Sequence, residues 1–230
     1  MPSARKLKPT STKSKASQRW MKERQSRPHA PLFKKKGASS AELKFKDTTK
    51  AQTALASAGT IFNDSLNLLA EGNTDSTRIG NRITVKSVML RGTAKLASTA
   101  AATDTSQTVR IIVYLDRQAN GATAAVGDIL ASADYRSFNN LDNSDRFRTL
   151  AEETLDLHLT GATPSGAAYT YGETSKSFFL KAKLNLDFKY KGNAGTVADL
   201  SGNNIGVLVI SETDAIGTLG YIARVRYTDQ

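Results

Sequence analysis

Residues 178–190 read Phe-Phe-Leu-Lys-Ala-Lys-Leu-Asn-Leu-Asp-Phe-Lys-Tyr, and an apolar residue occupies every even-numbered position. From Lys181 onward every odd-numbered position is polar, and most of these residues are lysines. Successive side chains of a β-strand point to opposite faces, so the alternation predicts a strand of roughly 43 Å with one apolar face and one basic, solvated face. The apolar face of such a strand needs a second layer of structure to cover it.

Other segments show the same period of two or a short continuous apolar run, and each of them predicts a strand. They are residues 42–47, where Leu43 and Phe45 alternate with Lys44 and Lys46, and residues 82–96, 109–115, 205–210 and 221–227. The runs at 109–115 and 205–210 predict strands that are covered on both faces. Within 82–96 the apolar positions change from odd at Val85 to even at Val88, which predicts a β-bulge near Ser87.

Residues 60–70 fit either a strand or a helix, and residues 146–159 combine helical spacing with a later alternation, so the pattern leaves both open. Residues 122–145 predict one or two helical turns and a polar loop, and the composition of 160–175 predicts a loop. About eight strands with long polar connections and no βα repeat indicate an all-β fold. We predict a single eight-stranded antiparallel jelly roll, a two-sheet sandwich, because immunoglobulin-type sandwiches usually have closer strand spacing.

The net positive charge is concentrated at the start of the chain. Residues 1–40 hold 12 of the 32 basic residues and one acid, Glu23, so they carry the whole net charge of +11, and residues 41–230 balance 20 bases against 20 acids. Four of the five prolines also lie there. Dense like charge with little apolar surface predicts a disordered basic N-terminal arm over 1–40, followed by a folded domain over 41–230.

A basic arm of this kind is an electrostatic partner for a polyanion, and nucleic acid is the commonest one. Trp20 adds an aromatic ring that can stack on an unpaired base. A solvated tail that only aids solubility is the alternative. The candidate nucleic-acid-binding residues are Arg5, Lys6, Lys8, Lys13, Lys15, Arg19, Trp20, Lys22, Arg24, Arg27, Lys34, Lys35 and Lys36.

Catalytic chemistry finds little support in the sequence. The chain has no Cys, which excludes a thiolate nucleophile, a disulfide and a zinc–thiolate site. Its two histidines, His29 and His158, are isolated, and the adjacent Glu152 and Glu153 would point to opposite faces of a strand. No apolar run approaches the roughly 18 residues of a membrane span. We expect no catalytic residue, no metal site, no cofactor and no enzymatic activity.

Three segments in this order resemble a known family. They are 76–87 (Ser-Thr-Arg-Ile-Gly-Asn-Arg-Ile-Thr-Val-Lys-Ser), 109–118 (Val-Arg-Ile-Ile-Val-Tyr-Leu-Asp-Arg-Gln) followed by Asn120-Gly121, and Arg146-Phe147 at the start of a strand. With the basic arm and the strand count, they resemble capsid proteins of small circular single-stranded DNA viruses, the CRESS-DNA type, over essentially the whole chain. The chain is similar as well to coat proteins of satellite RNA viruses of the tobacco necrosis type.

The resemblance implies a jelly-roll shell domain that assembles into a closed icosahedral T=1 shell of sixty copies. It also implies strands at 146–159 and 60–70. The arm would then package a single-stranded genome, DNA rather than RNA, in a virion. Lys34, Lys35 and Lys36 would serve as a nuclear localisation signal read by a host import receptor, with assembly in the host nucleus.

Two other classes of protein remain as alternatives. A cellular nucleic-acid-binding protein with a basic tail would explain the arm, but its folded body would usually carry basic patches, and residues 41–230 are neutral overall. A jelly-roll lectin or enzyme would explain the fold and leave the arm without a role.

Overall fold

The computed structural model describes residues 42–96, 106–165, 168–214 and 217–229. The predicted arm lies outside these residues, so its disorder stays a prediction. The described strands are β1 (Leu43–Ala54), β2 (Thr60–Asn63), β3 (Arg82–Leu96), β4 (Ser106–Ala119), β5 (Phe147–His158), β6 (Thr160–Ser165), β7 (Ala168–Gly172), β8 (Thr174–Lys189), β9 (Gly202–Ser211) and β10 (Gly217–Asp229). One short helix, α1 (Val126–Ile129), and two 3-10 turns, Leu141–Asn143 and Val197–Asp199, lie between them.

Eight strands form two antiparallel sheets, sheet I in the order β1-β10-β3-β8 and sheet II in the order β2-β9-β4-β5. Strand β1 pairs with β10, β2 with β9, β3 with β8 and β4 with β5. The chain therefore runs as one long hairpin whose successive strand pairs alternate between the two sheets. This is the jelly-roll arrangement, and it confirms the predicted fold.

The main core lies between the two sheets and is made of the inward-facing residues of every strand pair. Strand β8 contributes Phe178, Leu180, Ala182 and Phe188, as its alternation predicts. A smaller cluster lies on the other side of sheet II, where Ile112, Tyr114, Leu208 and Ile210 pack against Ala124, Ile129, Leu130 and Phe147. The chain between β4 and β5 covers sheet II there, so β4 and β9 are buried on both faces, as predicted.

The predicted β-bulge is present in β3. Ser87 pairs with Arg226 of β10, whereas Val85 pairs with Tyr227, so Lys86 is an extra residue in β3. The extra residue changes the side-chain phase, and Val85 and Val88 therefore both face the core. The strand implied for 146–159 and the helical turn predicted within 122–145 are also present, as β5 and α1.

Two predictions about strand content are wrong in part. The predicted loop at 160–175 contains the β6–β7 hairpin, because the β-forming run Tyr169-Thr170-Tyr171 outweighs the Gly and Ser around it. The strand implied for 60–70 ends at Asn63. After Asn63, the backbone amide of Ile205 in β9 donates a hydrogen bond to Asn67 Oδ1 at 2.8 Å. If β2 continued, a backbone carbonyl of β2 would accept this hydrogen bond instead.

The first strand is longer than predicted and presents its lysines inward. Leu43 and Phe45 are 49% and 40% exposed, whereas Lys44 is only 5% exposed. The Lys44 Nζ lies 2.8 Å from Asp229 Oδ2 and donates a hydrogen bond to the Thr77 carbonyl at 3.2 Å. A carboxylate and a carbonyl therefore replace the water that Lys44 loses on burial.

Arg78, in the Arg-Ile-Gly sequence that contributes to the resemblance, is fully buried. Its Nε donates to the Leu69 carbonyl at 3.1 Å, and its terminal nitrogens donate to the carbonyls of Gly80 and Gly192. The guanidinium lies 4.4 Å from the centre of the Tyr190 ring. Arg78 thus joins the chain before β3 to the chain that follows β8.

We expect Arg78→Met to lower the free energy of unfolding by about 3 kcal/mol, because buried carbonyls lose their donors. Urea denaturation of the full chain measures this difference. The matched control is Arg148→Met, at an exposed arginine of β5, which should change the free energy by less than about 0.5 kcal/mol. Equal stability of the two variants would contradict the role of Arg78.

Candidate nucleic-acid interface

The two sheets differ strongly in charge. The four strands of sheet I contain 13 Lys and Arg against 3 Asp and Glu, a net charge of +10. The four strands of sheet II contain 3 bases against 4 acids, a net charge of −1. The neutral total of residues 41–230 therefore conceals a segregation of charge, and the basic residues are concentrated on one sheet.

The outward-facing residues of sheet I, which we call the basic face, are aligned in rows by strand pairing. Across β10, β3 and β8 these rows are Ile222–Arg91–Phe179, Arg224–Met89–Lys181 and Arg226–Ser87–Lys183. Neighbouring rows are about 6.8 Å apart, two residues along a strand. The basic residues of the face are Arg82, Lys86, Arg91, Lys95, Lys181, Lys183, Lys189, Arg224 and Arg226.

Three of these cations are paired with carboxylates. Arg224 donates to both oxygens of Asp47, at 2.7 and 2.6 Å, and its guanidinium lies 4.7 Å from the centre of the Phe45 ring. The hydrogen bonds from Arg224 lower the pKa of Asp47 and raise the pKa of Arg224 itself. Arg82 pairs with Asp187 at 2.9 Å and Lys95 with Glu173 at 3.1 Å. Such exposed pairs contribute little stability, but they fix the direction of each side chain.

The other six cations of the face form no ion pair with a carboxylate of the described residues. Lys181, Lys183, Lys189 and Arg226 are exposed, and Lys86 donates a hydrogen bond to Asn185 at 2.7 Å. An open array of unpaired cations binds phosphate groups without reading sequence, since it releases condensed counterions from the nucleic acid.

The thirteen candidate residues of the arm, from Arg5 to Lys36, all lie outside the described residues and stay predictions. The sequence did identify the basic side of β8. The arginines of β3 and β10 were missed because their position beside β8 depends on strand pairing. The alternation of Arg224 and Arg226 with Val225 and Tyr227 does indicate that these two arginines face away from the core.

Sheet II offers a different kind of surface. Glu152 is paired with Arg110 at 2.8 Å, and His158 is exposed at the end of β5. Between β4 and β5, the side chains of Phe138 and Leu141 are 87% and 81% exposed. This segment therefore exposes more apolar surface to water than the rest of the described part of sheet II.

In the described part of the chain, no group of three or more His, Asp and Glu side chains could hold a metal ion. No described helix has the length and apolar character needed to cross a membrane.

No curated protein sequence matches the chain. Among solved structures, it is similar to the infectious bursal disease virus VP2 subviral particle (14% identity, TM-score 0.17, 87% of this chain and 45% of that chain). It is also similar to the infectious bursal disease virus Gx strain (11% identity, TM-score 0.18, 87% and 44%), so it spans less than half the length of either structure. The family model of the satellite tobacco necrosis virus coat protein matches residues 17–230. The chain therefore belongs to the satellite tobacco necrosis virus coat protein family and is a viral capsid protein.

Proposed function

We propose that this capsid protein assembles into a closed icosahedral T=1 shell of sixty copies and packages a single-stranded genome, circular DNA, through its arm and its basic face. The observation that carries this proposal is the segregation of charge, with +10 on the strands of sheet I and −1 on those of sheet II. A shell protein needs one surface that attracts polyanion and other surfaces that contact its neighbours.

The amount of charge supports packaging. Each arm carries +11, so sixty copies bring +660 to the interior. If the basic face is turned inward, its six cations without a carboxylate partner add about +6 per copy. Together these charges suit a genome on the order of a thousand phosphates, because binding by counterion release needs no base-specific contacts.

An RNA genome is the second candidate, and the family match favours it, because coat proteins of the satellite tobacco necrosis type resemble this chain over residues 17–230. Digestion of the cargo of purified particles with DNase and with RNase distinguishes the two. The DNA proposal also includes nuclear import through Lys34, Lys35 and Lys36, which an RNA genome would not require. A cellular nucleic-acid-binding protein is disfavoured by membership in a coat protein family.

The subunit contacts of the proposed shell include Phe138 and Leu141. These side chains are the most exposed of the large apolar residues in the described part of the chain. They lie in the segment between β4 and β5, on the side of the sandwich that does not carry the basic face. Burial against a neighbouring copy would remove their apolar surface from water, at roughly 25 cal/mol for each Å².

Removal of the arm tests packaging. We expect deletion of residues 1–40 to leave a shell domain that still assembles and contains no genome, because the strongest attraction for polyanion is lost. The ratio of absorbance at 260 and 280 nm of purified particles measures this loss. A full-length variant whose twelve arm bases are replaced by Gln controls for arm length, and it should also lack cargo. Packaged genome in either variant would refute the role of the arm.

The basic face is tested by the double substitution Lys181→Gln and Lys183→Gln. For a single-stranded DNA oligonucleotide, we expect the slope of log affinity against log salt concentration to decrease by about 1.4, since two phosphate contacts are lost. Fluorescence anisotropy measures the slope. The matched control is Arg117→Gln with Arg136→Gln, two exposed bases outside sheet I, which should leave the slope unchanged. Equal slopes for all three proteins would contradict a binding role for the face.

Assembly is tested by Phe138→Ser with Leu141→Ser. We expect a folded protein with an unchanged circular dichroism spectrum that no longer forms particles in size-exclusion chromatography and negative-stain microscopy. Asp142→Ser, an exposed polar position in the same segment, is the control and should assemble normally. Normal particles from the double variant would show that these side chains are not subunit contacts.

A further inference from the structure

Phe179 is the one aromatic residue of the polar side of β8, and its side chain is 52% exposed. It pairs across the sheet with Arg91 of β3, which in turn pairs with Ile222 of β10. The Arg91 guanidinium lies 5.4 Å from the centre of the Phe179 ring, and Ile222 is 54% exposed. Two large apolar side chains and a cation thus share one row of the basic face.

The sheet leaves space beside this row. The next row toward the start of β8 consists of Gly220, Thr93 and Ser177. The Gln52 side chain lies against Gly220, whereas the small side chains of Thr93 and Ser177 leave an open groove, lined by these two residues with Arg91, Phe179 and Ile222. A flat ring can enter such a groove and lie against Phe179. Long side chains on both sides of Phe179 would have blocked this access.

Charge gives the groove a direction. On one side the adjacent row carries Arg224 and Lys181, about 6.8 Å away along the strands. The lining also includes Glu153 of β5, whose carboxylate repels phosphate within the groove. An anionic group attached to a ring in the groove is therefore favoured toward Lys181, and one nucleotide spans that distance between its base and its phosphate.

We propose that the groove at Phe179 binds an unpaired nucleobase of single-stranded nucleic acid, stacked on the Phe179 ring and held by the Arg91 guanidinium, with its phosphate near Lys181. Aromatic rings and arginine planes both stack on bases of any sequence, so the site adds affinity without sequence preference. The inference rests on the proposed function, and it assigns this row a contact with a base in addition to the phosphate contacts of the face.

The test compares two probes with the full-length protein: a single-stranded deoxythymidine 12-mer and an abasic 12-mer with the same phosphates. We expect Phe179→Ala to weaken binding of the deoxythymidine 12-mer about 5-fold to 150-fold and to leave binding of the abasic 12-mer unchanged. Phe179→Leu, which keeps the apolar bulk without the aromatic ring, should behave like Phe179→Ala. Phe179→Trp should restore binding. All four proteins should show the same salt dependence, because their cations are the same.

Each other outcome overturns a specific part of the inference. Equal weakening of both probes by Phe179→Ala would mean that Phe179 supports the fold of the face rather than a base. No weakening of either probe would exclude the groove as a site and leave the proposed function intact. Loss of particles with unchanged oligonucleotide binding would show that a second copy of the chain occupies the groove. If the wild-type protein binds neither probe, the proposed function fails and the inference fails with it.

Discussion

Each strand of sheet I has to bury one of its two faces against sheet II, and the remaining features of the structure follow from this constraint. Because side chains alternate, a strand with Phe178, Leu180 and Ala182 on its inner side has to present Lys181 and Lys183 on its outer side. Strand pairing then places the outward arginines of β3 and β10 beside these lysines. The basic face is thus the outer side of an ordinary hydrophobic core.

The sequence predicted much of this because its strongest signals are local. Alternation identified β8, the change of phase near Ser87 identified the bulge, and the apolar runs at 109–115 and 205–210 identified the two strands that are covered on both faces. The order of the strands in the sheets could not be derived from any one segment, because jelly-roll pairing joins residues as distant as Leu43 and Thr228. The fold class was therefore predictable from the hydrophobic pattern. Of the basic face, only the part contributed by β8 was predictable.

The remaining differences have physical causes that a pattern does not contain. Alternation in 42–47 identifies a strand but does not say which side is buried, and Lys44 faces inward because Asp229 and the Thr77 carbonyl meet its charge there. The neutral total charge of residues 41–230 argued against a basic surface. This argument was wrong because a total charge contains no information on where the individual charges lie. Arg78 lies within one of the segments that carry the family resemblance, but no role for its side chain could be predicted from the sequence. The structure shows that role, because the guanidinium donates hydrogen bonds to three backbone carbonyls.

Strands β1 and β10 are neighbours at one edge of sheet I, and Leu43 lies opposite Thr228. The chain therefore enters the sandwich at Leu43 and leaves it after Asp229 at the same corner. A guest polypeptide inserted after Asp229 would therefore leave the sandwich beside Leu43. If the proposed shell turns this corner inward, such an insertion would load an enzyme or a reporter into the interior, whereas display of the same guest on the exterior would require insertion elsewhere.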